Sequence, residues 1–386
     1  MNDRPLDETS ENYSGLAHEI SSDGTKVAIA SQWQLTWWAF KKHKLAVVSL
    51  WVIGFFYLVT IFAEVIAPDN PSKQNRRAVY HPPQAIHFID KTEEGVKIRP
   101  FVWKMKRKRD PETLAVTYSN SGDKIYIKML GRGPEYKWWG IWKTDIKLFA
   151  TTKPKDKFYI FGADRLGRDM FSRMIYGTRI SMSIGLVGVA ISLVLGIFLG
   201  GLSGYYGGRI DAIIQRLIEF VLSLPTIPIW LALAASLPPD WPIYRQYFVI
   251  TLIVSLVGWT ELGRVVRGRF LAMKNDDFVI AARLDGASEM RVIFRHMLPS
   301  LTSHIIASMT LAIPLMILAE TGLSFLGLGL QPPAISWGVL LKEAQNIVSI
   351  SQAPWLFIPG AFVVIAVLSF NFLGDGMRDA ADPYGQ

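Results

Sequence analysis

The chain has 386 residues, half of them hydrophobic and only 19% charged, against about 25% charged in an ordinary soluble protein. It contains no cysteine, which excludes a disulfide framework, thiolate metal sites, iron–sulfur ligation and a cysteine nucleophile. Lys and Arg total 41 against 32 Asp and Glu, a net charge of +9, and so basic a chain first suggests nucleic acid or an anionic membrane surface as its partner.

Residues 1–30 are polar, with no apolar run, so the sequence predicts a disordered cytoplasmic tail rather than a cleaved leader. In SQWQLTWWAFKKHK (31–44), Trp33, Trp37 and Phe40 recur at helical spacing ahead of Lys41, Lys42 and Lys44. That pattern predicts an interfacial amphipathic helix over 31–44. Leu45–Ala63 then runs 19 residues without a charge. A bilayer core of about 30 Å needs about 20 apolar helical residues, so a first transmembrane helix is expected over 45–67.

Residues 71–158 break this pattern. They hold 20 Lys and Arg against 9 Asp and Glu, leaving 21 basic and 23 acidic residues in the rest of the chain. The whole positive surplus therefore sits in one segment. Phe101, Trp103 and Met105 alternate as in a strand, and the runs 113–119 and 124–130 flank Asn120-Ser121-Gly122-Asp123, a hairpin signal. A small, aromatic-rich β insertion is expected between the first and second spans. Long loops translocate largely regardless of charge, so the outer face is its expected side.

The uncharged windows Ile180–Tyr206, Phe220–Pro239, Met297–Ala319 and Gln352–Gly374 follow, with 27, 20, 23 and 23 residues. Tyr247–Thr260 has 14 and spans only if its helix runs past Glu261. The prediction is an all-α polytopic membrane protein with six transmembrane helices, five of them in a core over 159–386. Pro225 and Pro228 interrupt the third span and Pro314 the fifth. Thr321–Leu341 is uncharged but rich in Gly and Pro, which suits a folded or re-entrant loop. Lys41, Lys42 and Lys44, with Arg264, Arg267, Arg269 and Lys274 in the segment 264–299, place both termini and that segment in the cytoplasm.

No catalytic constellation is present: the chain has no GxxxxGK[ST] phosphate loop, no HExxH and no GxSxG. Neither a catalytic residue nor a metal or cofactor site is expected, and uphill transport would draw its energy from a partner or an ion gradient. The informative stretch is DFVIAARLDGASEMRVIFRHMLPS (277–300). Ala281, Ala282 and Gly286 are small residues on a helical segment, so another surface can approach the backbone, and Leu298-Pro299 ends the segment before the next span. On spacing alone, a docking element and a solvated loop both remain open.

At these residues the chain resembles the Glu-Ala-Ala loop of ABC importer permeases. FGADRLGRDMFSRMIYGTRIS (161–181), GLSGYYGGRIDAIIQRLIEFVLSLP (201–225), LSFLGLGLQPPAISWG (323–338), FNFLGDGMRDAADP (370–383) and SQWQLTWWAFKKHKLAVVSL (31–50) are similar to further signatures of the dipeptide/oligopeptide type. The likeness covers nearly all of the chain outside 1–30 and 71–158. It implies a type I importer permease fold in a bacterial inner membrane, importing peptides or similar small solutes. The implied partners are a second homologous permease, two ATP-binding cassette subunits that bind the ATP, and an extracytoplasmic substrate-binding protein, with membrane lipid around them and no nucleic acid. It also implies coupling to the ATPase through Ala281, Ala282, Arg283, Asp285, Gly286, Leu298 and Pro299. Ile280 stands where the family has Glu, and His296 where it has Ile, so docking is expected to persist with altered electrostatics.

Arg283 and Asp285 either pair with the ATPase or face water. Glu320, at the outer end of the fifth span, is costly unless partnered or wetted; with Pro225 and Pro314 it is a candidate pathway residue. A secondary transporter or channel driven by an ion gradient is the competing reading. It would need charged groups within spans that are here nearly charge-free.

Overall fold

The computed structural model describes residues 32–92, 95–109, 111–112, 116–153, 156–238, 240–346 and 351–381; the tail expected over 1–30 lies outside them. Helix α1 (Gln32–Lys42) meets α2 (Lys44–Ile61) at His43. The aromatic stripe of α1 divides: Phe40 turns into the core, while Trp37 remains exposed. Helix α2 is apolar on all sides. Ala46, Ser49, Ile53 and Phe56 pack inward, and Leu45, Val48, Trp51, Phe55 and Leu58 form an exposed stripe opposite them. The helix breaks at Phe62, and one more turn, Ala63–Ile66, follows.

The insertion is a four-stranded antiparallel meander in the order β1 (His87–Thr92), β2 (Gly95–Arg109), β3 (Val116–Trp138), β4 (Trp142–Thr151). The hairpin expected at Asn120–Asp123 is not there. Strand β3 runs straight through those residues, pairing with β2 on both sides, from Met105↔Asn120 to Trp103↔Lys124. Ser121, Gly122 and Asp123 form a bulge opposite Lys104. Asn120 Oδ1 accepts from the Gly122 N–H at 2.9 Å, Gly122 takes φ +81°, and Ser121 Oγ donates to Lys104 O at 2.9 Å. The turn chemistry is satisfied within the strand because the partner strand continues past it. The β3–β4 turn lies instead at Trp139-Gly140-Ile141, beyond the Trp138↔Trp142 pair.

Helix α3 (Met170–Tyr206) begins at Asp169, whose Oδ2 accepts from the Ser172 N–H at 2.8 Å. Its 37 residues reach about 55 Å, well beyond one bilayer core. Gly207 and Gly208 turn the chain into α4 (Gly208–Ser223), followed by α5 (Thr226–Ala235). These two helices meet at 82°. The third span was expected to be one interrupted helix; it is a bent pair. Leu224 is extended at φ −89°, ψ 134°, the conformation that a following proline imposes, and Pro225 has no N–H to continue the ladder.

Helix α6 (Ile243–Met273) does run past Glu261. It packs along α3 through glycines: a Cβ on Gly200 would meet Gly263 O at 2.4 Å, and one on Gly204 would meet Arg267 O at 2.7 Å. Small residues at four-residue spacing bring the two backbones together. The short helix α7 (Asp277–Leu284) precedes a π-helical turn, Val292–Met297, and α8 (Thr302–Phe325). After α8 come α9 (Trp337–Glu343) and α10 (Ile358–Ala381). Among the described residues, five segments are long and apolar enough to cross a membrane, and the bent pair makes a sixth if it counts as one span. The polytopic helical architecture is as expected. Its core gathers around Trp337, fully buried against Phe56 and Phe362.

Candidate coupling and pathway site

Helix α7 ends in a Schellman arrangement. The Ala287 N–H donates to Ala282 O at 3.0 Å, the Gly286 N–H to Arg283 O at 3.0 Å, and Gly286 takes φ +75°. A residue with a Cβ is strained in this left-handed conformation, so Gly286 is required by its own backbone. A Cβ there would meet nothing within 4 Å among the described residues, which leaves the position open to an approaching surface.

Ala282 and Val279 are buried in a cluster with Tyr205, Phe270, Val292 and Met297, and Leu298 packs partly against it. Ala281, Arg283, Asp285, Gly286 and Pro299 are exposed. The sequence-predicted set therefore divides into an anchored side and a presented side on one knob. Phe278, Ile280, Leu284, Met290 and Phe294 are exposed apolar side chains on the same knob. Arg283 lies over the Tyr205 ring at 5.1 Å, and Tyr206 Oη donates to Glu289 at 2.7 Å. These contacts tie the knob to the end of α3. Arg267 on α6 grips Asp211 on α4, and Asp211 also accepts from Ser203 on α3. Sequence reasoning missed this clamp; the basic residues of 264–299 were legible only as orientation signals.

A cavity of about 500 Å³ opens between α4–α5, α6 and α8, lined by Trp230, Leu231, Gly258, Glu261, Met316 and Gly322 among others. Glu261 is the one carboxylate lining it among the described residues. None of the three candidate pathway residues does so. Pro225 sits at the α4–α5 bend, and Pro314 is buried inside α8. Glu320 is fully buried: Ser324 and Ser336 hydroxyls donate to its Oε1 at 2.8 and 2.7 Å, and Ser181 to its Oε2 at 3.4 Å. Ser324 Oγ accepts from the Leu330 N–H and Ser181 Oγ from the Trp337 N–H. The acid thus pins the Gly-rich segment after α8 against α3.

On the insertion side, Asp164 and Glu343 hold Arg168 and Arg173 in a buried ion-pair group, with Arg168 at 2.6 Å from Asp164 and 2.5 Å from Glu343. A second cavity, of about 320 Å³, lies between the sheet and the start of α3, lined by Asp69, Lys73, Lys147, Asp156, Lys157 and Asp169 among others. Burial pushes the Lys147 amine down to about 8, opposed by the carboxylates of Asp69 and Glu64. Its Nζ donates to the carbonyls of Glu64 and Ala67 at 2.7 and 2.8 Å. Among the described residues, no group of three or more His, Asp or Glu is placed to hold a metal ion.

Two family models match the chain. Residues 192–384 match the binding-protein-dependent transport system inner membrane component, and residues 31–83 the N-terminal TM domain of oligopeptide transport permease C. The oligopeptide transport system permease protein OppC of Bacillus subtilis is 37% identical over 237 residues, 61% of this chain and 75% of that protein. The dipeptide transport system permease protein DppC of the same organism is 40% identical over 234 residues, 60% of this chain and 70% of that protein. OppC of Haemophilus influenzae is 36% identical, covering 62% and 75%. Among solved structures, an inward-facing MetNI methionine ABC transporter aligns with a TM-score of 0.43 and 15% identity, covering 55% of this chain and 98% of that one. The chain belongs to the binding-protein-dependent transport system inner membrane components: it is the membrane-spanning permease subunit of an ATP-driven bacterial importer whose ATPase is a separate subunit.

Proposed function

We propose that this permease imports peptides or similar small solutes, paired with a second homologous permease above two ATP-binding cassette subunits. The names of its relatives support the substrate class. In this reading both termini and residues 264–299 are cytoplasmic, 31–44 rides the inner interface, and the β insertion over 71–158 lies outside, in the bacterial inner membrane. The knob formed by 277–299 is the coupling element. Ala281, Arg283, Asp285, Gly286 and Pro299 meet the ATPase, while Ala282 and Leu298 anchor the knob to α3 and α6. The observation that carries this is the division of one short segment into a buried face on the span ends and an apolar face that is exposed among the described residues. ATPase motion applied to that face is delivered to α3, α4 and α6 together through the Asp211–Arg267 clamp.

The cavity between α4–α5, α6 and α8 is this subunit's share of the path, with Glu261 as its charged contact and Trp230 and Met316 as its apolar walls. Glu320, Pro225 and Pro314 shape that wall from behind. The basic face of the insertion, away from the β3–β4 turn, receives the acidic surface of the substrate-binding protein. Reconstituted importer in liposomes tests the scheme: labelled peptide should accumulate only with ATP and binding protein present. Uptake that needs neither would overturn it. Deleting residues 75–155 should weaken binding-protein affinity, and unchanged affinity and uptake would make the insertion a passive cap.

A further inference from the structure

The break between α2 and the turn Ala63–Ile66 removes Ile61 O from the helical ladder. Two indoles fill the gap: Trp138 Nε1 donates to Ile61 O at 3.1 Å and Trp139 Nε1 donates to the same oxygen at 3.0 Å. Trp138 also stacks on Phe62 at 5.8 Å, and Arg179 lies over the Trp139 ring at 4.2 Å while its fork holds Glu64. The β3–β4 turn is thereby fixed at one height, the end of the first span.

That height has a physical meaning. The 18 residues of α2 rise about 27 Å, close to the thickness of a bilayer's hydrocarbon core. The exposed stripe from Leu45 to Leu58 ends at Ile61 and Phe62, where the turn begins, and the turn continues it with Trp139, Ile141 (69% exposed) and Trp142 (61% exposed). Tryptophan favours this level because its ring is apolar and its N–H needs a partner. Lys137 and Lys143 face each other directly across the two strands and are exposed. Two like charges opposed in this way repel unless an anion lies between or above them, and a phospholipid phosphate supplies one at this depth.

We propose that residues 137–143 are a membrane anchor, with Trp139, Ile141 and Trp142 immersed at the headgroup–acyl boundary beside the first span and Lys137 and Lys143 on anionic lipid phosphates. The partner is the phospholipid surface itself. Which leaflet it occupies rests on the orientation proposed above; its depth does not.

The absence of cysteine makes the test direct. Ile141→Cys and, at the far end of the sheet, Lys108→Cys are spin-labelled one at a time in the complete importer in nanodiscs. Accessibility to oxygen is then compared with accessibility to a water-soluble nickel chelate. The label at 141 should have an oxygen-to-nickel ratio several-fold above that at 108. The ratio should rise further when phosphatidylglycerol replaces phosphatidylcholine, and that rise should vanish in the Lys137→Gln, Lys143→Gln background. Equal ratios at the two positions would put the turn in water and overturn the proposal. Protection of 141 from both reagents would put it under protein and overturn it equally. If 141 lies at lipid depth while 108 is shielded from an impermeant thiol reagent in intact cells, the anchor stands and the proposed orientation falls.

Discussion

Arg267 holds Asp211 with both prongs of its guanidinium, Nε at 2.5 Å from Oδ1 and one terminal nitrogen at 2.6 Å from Oδ2. The pair joins α6 to α4, and through Ser203 to α3, next to the cluster that carries α7. Bidentate charge-assisted pairs are about twice as strong as neutral hydrogen bonds. Asp211→Asn should lower stability by about 2 kcal/mol, read as a drop in the thermal midpoint in nanodiscs. It should also reduce peptide-stimulated ATP hydrolysis more than basal hydrolysis. A fall in both rates by the same factor would mean that the clamp stabilises without transmitting.

Gly286 separates a backbone requirement from a docking requirement. Gly286→Ala should destabilise the α7 end by about 1 kcal/mol, because the left-handed conformation disfavours a Cβ, and should leave most transport intact. Gly286→Trp should abolish uptake and transport-coupled ATP hydrolysis while the permease still reaches the membrane. Normal uptake by the tryptophan variant would remove the knob from the coupling path.

Two acids that look alike in the sequence should behave in opposite ways. Glu261 lines the cavity and Glu320 is sealed behind it. Glu261→Gln should raise the apparent KM for peptides with cationic side chains several-fold and leave the thermal midpoint unchanged. Glu320→Ala strands three serine hydroxyls and should cost roughly 3 kcal/mol of stability without changing KM in the protein that folds. Uptake of cationic and neutral peptides, read beside the thermal midpoint, distinguishes the two variants, and the reverse assignment of effects would exchange their roles.

Charge-free windows and basic flanks made the spans legible, because a bilayer selects strongly against charge over about 20 residues. The sequence showed Ala281, Ala282 and Gly286 as small residues on one helical segment, but Gly286 lies past the end of α7, where its left-handed φ of +75° serves the cap. What the sequence concealed is non-local. Asn120–Asp123 carries good turn chemistry, yet Met105 and Trp103 pair on either side of it, and only the partner strand decides between turn and bulge. The 82° bend was foreshadowed by Pro225, but its angle depends on what α6 and α8 present to α5. Arg168 meets Glu343 across 175 positions, and no local pattern marks that pair.

The cap of α3 should make stability fall as pH rises through the weakly acidic range. Burial, with the nearby Asp69 carboxylate adding to it, pushes Asp169 up from an ordinary 3.8 to about 6, against the opposing pull of its bonds to Ser172. One of its oxygens, Oδ1, has no hydrogen-bond partner. Asp69 is itself paired with Lys157, and Lys73, Lys147, Asp156 and Tyr159 line the same cavity. Because the folded state holds the Asp169 proton more tightly than the unfolded state, the folded state is not penalised below about pH 4. The penalty grows between the two values and is complete above about 6, for a total on the order of 3 kcal/mol. Asn can still accept from the Ser172 N–H and keep the cap, but it does not ionise. The thermal midpoint of Asp169→Asn, measured against the unmodified protein from pH 4.5 to 6.5, should therefore gain steadily on it as pH rises. Two parallel curves over that range would show that Asp169 is ionised in the folded protein throughout.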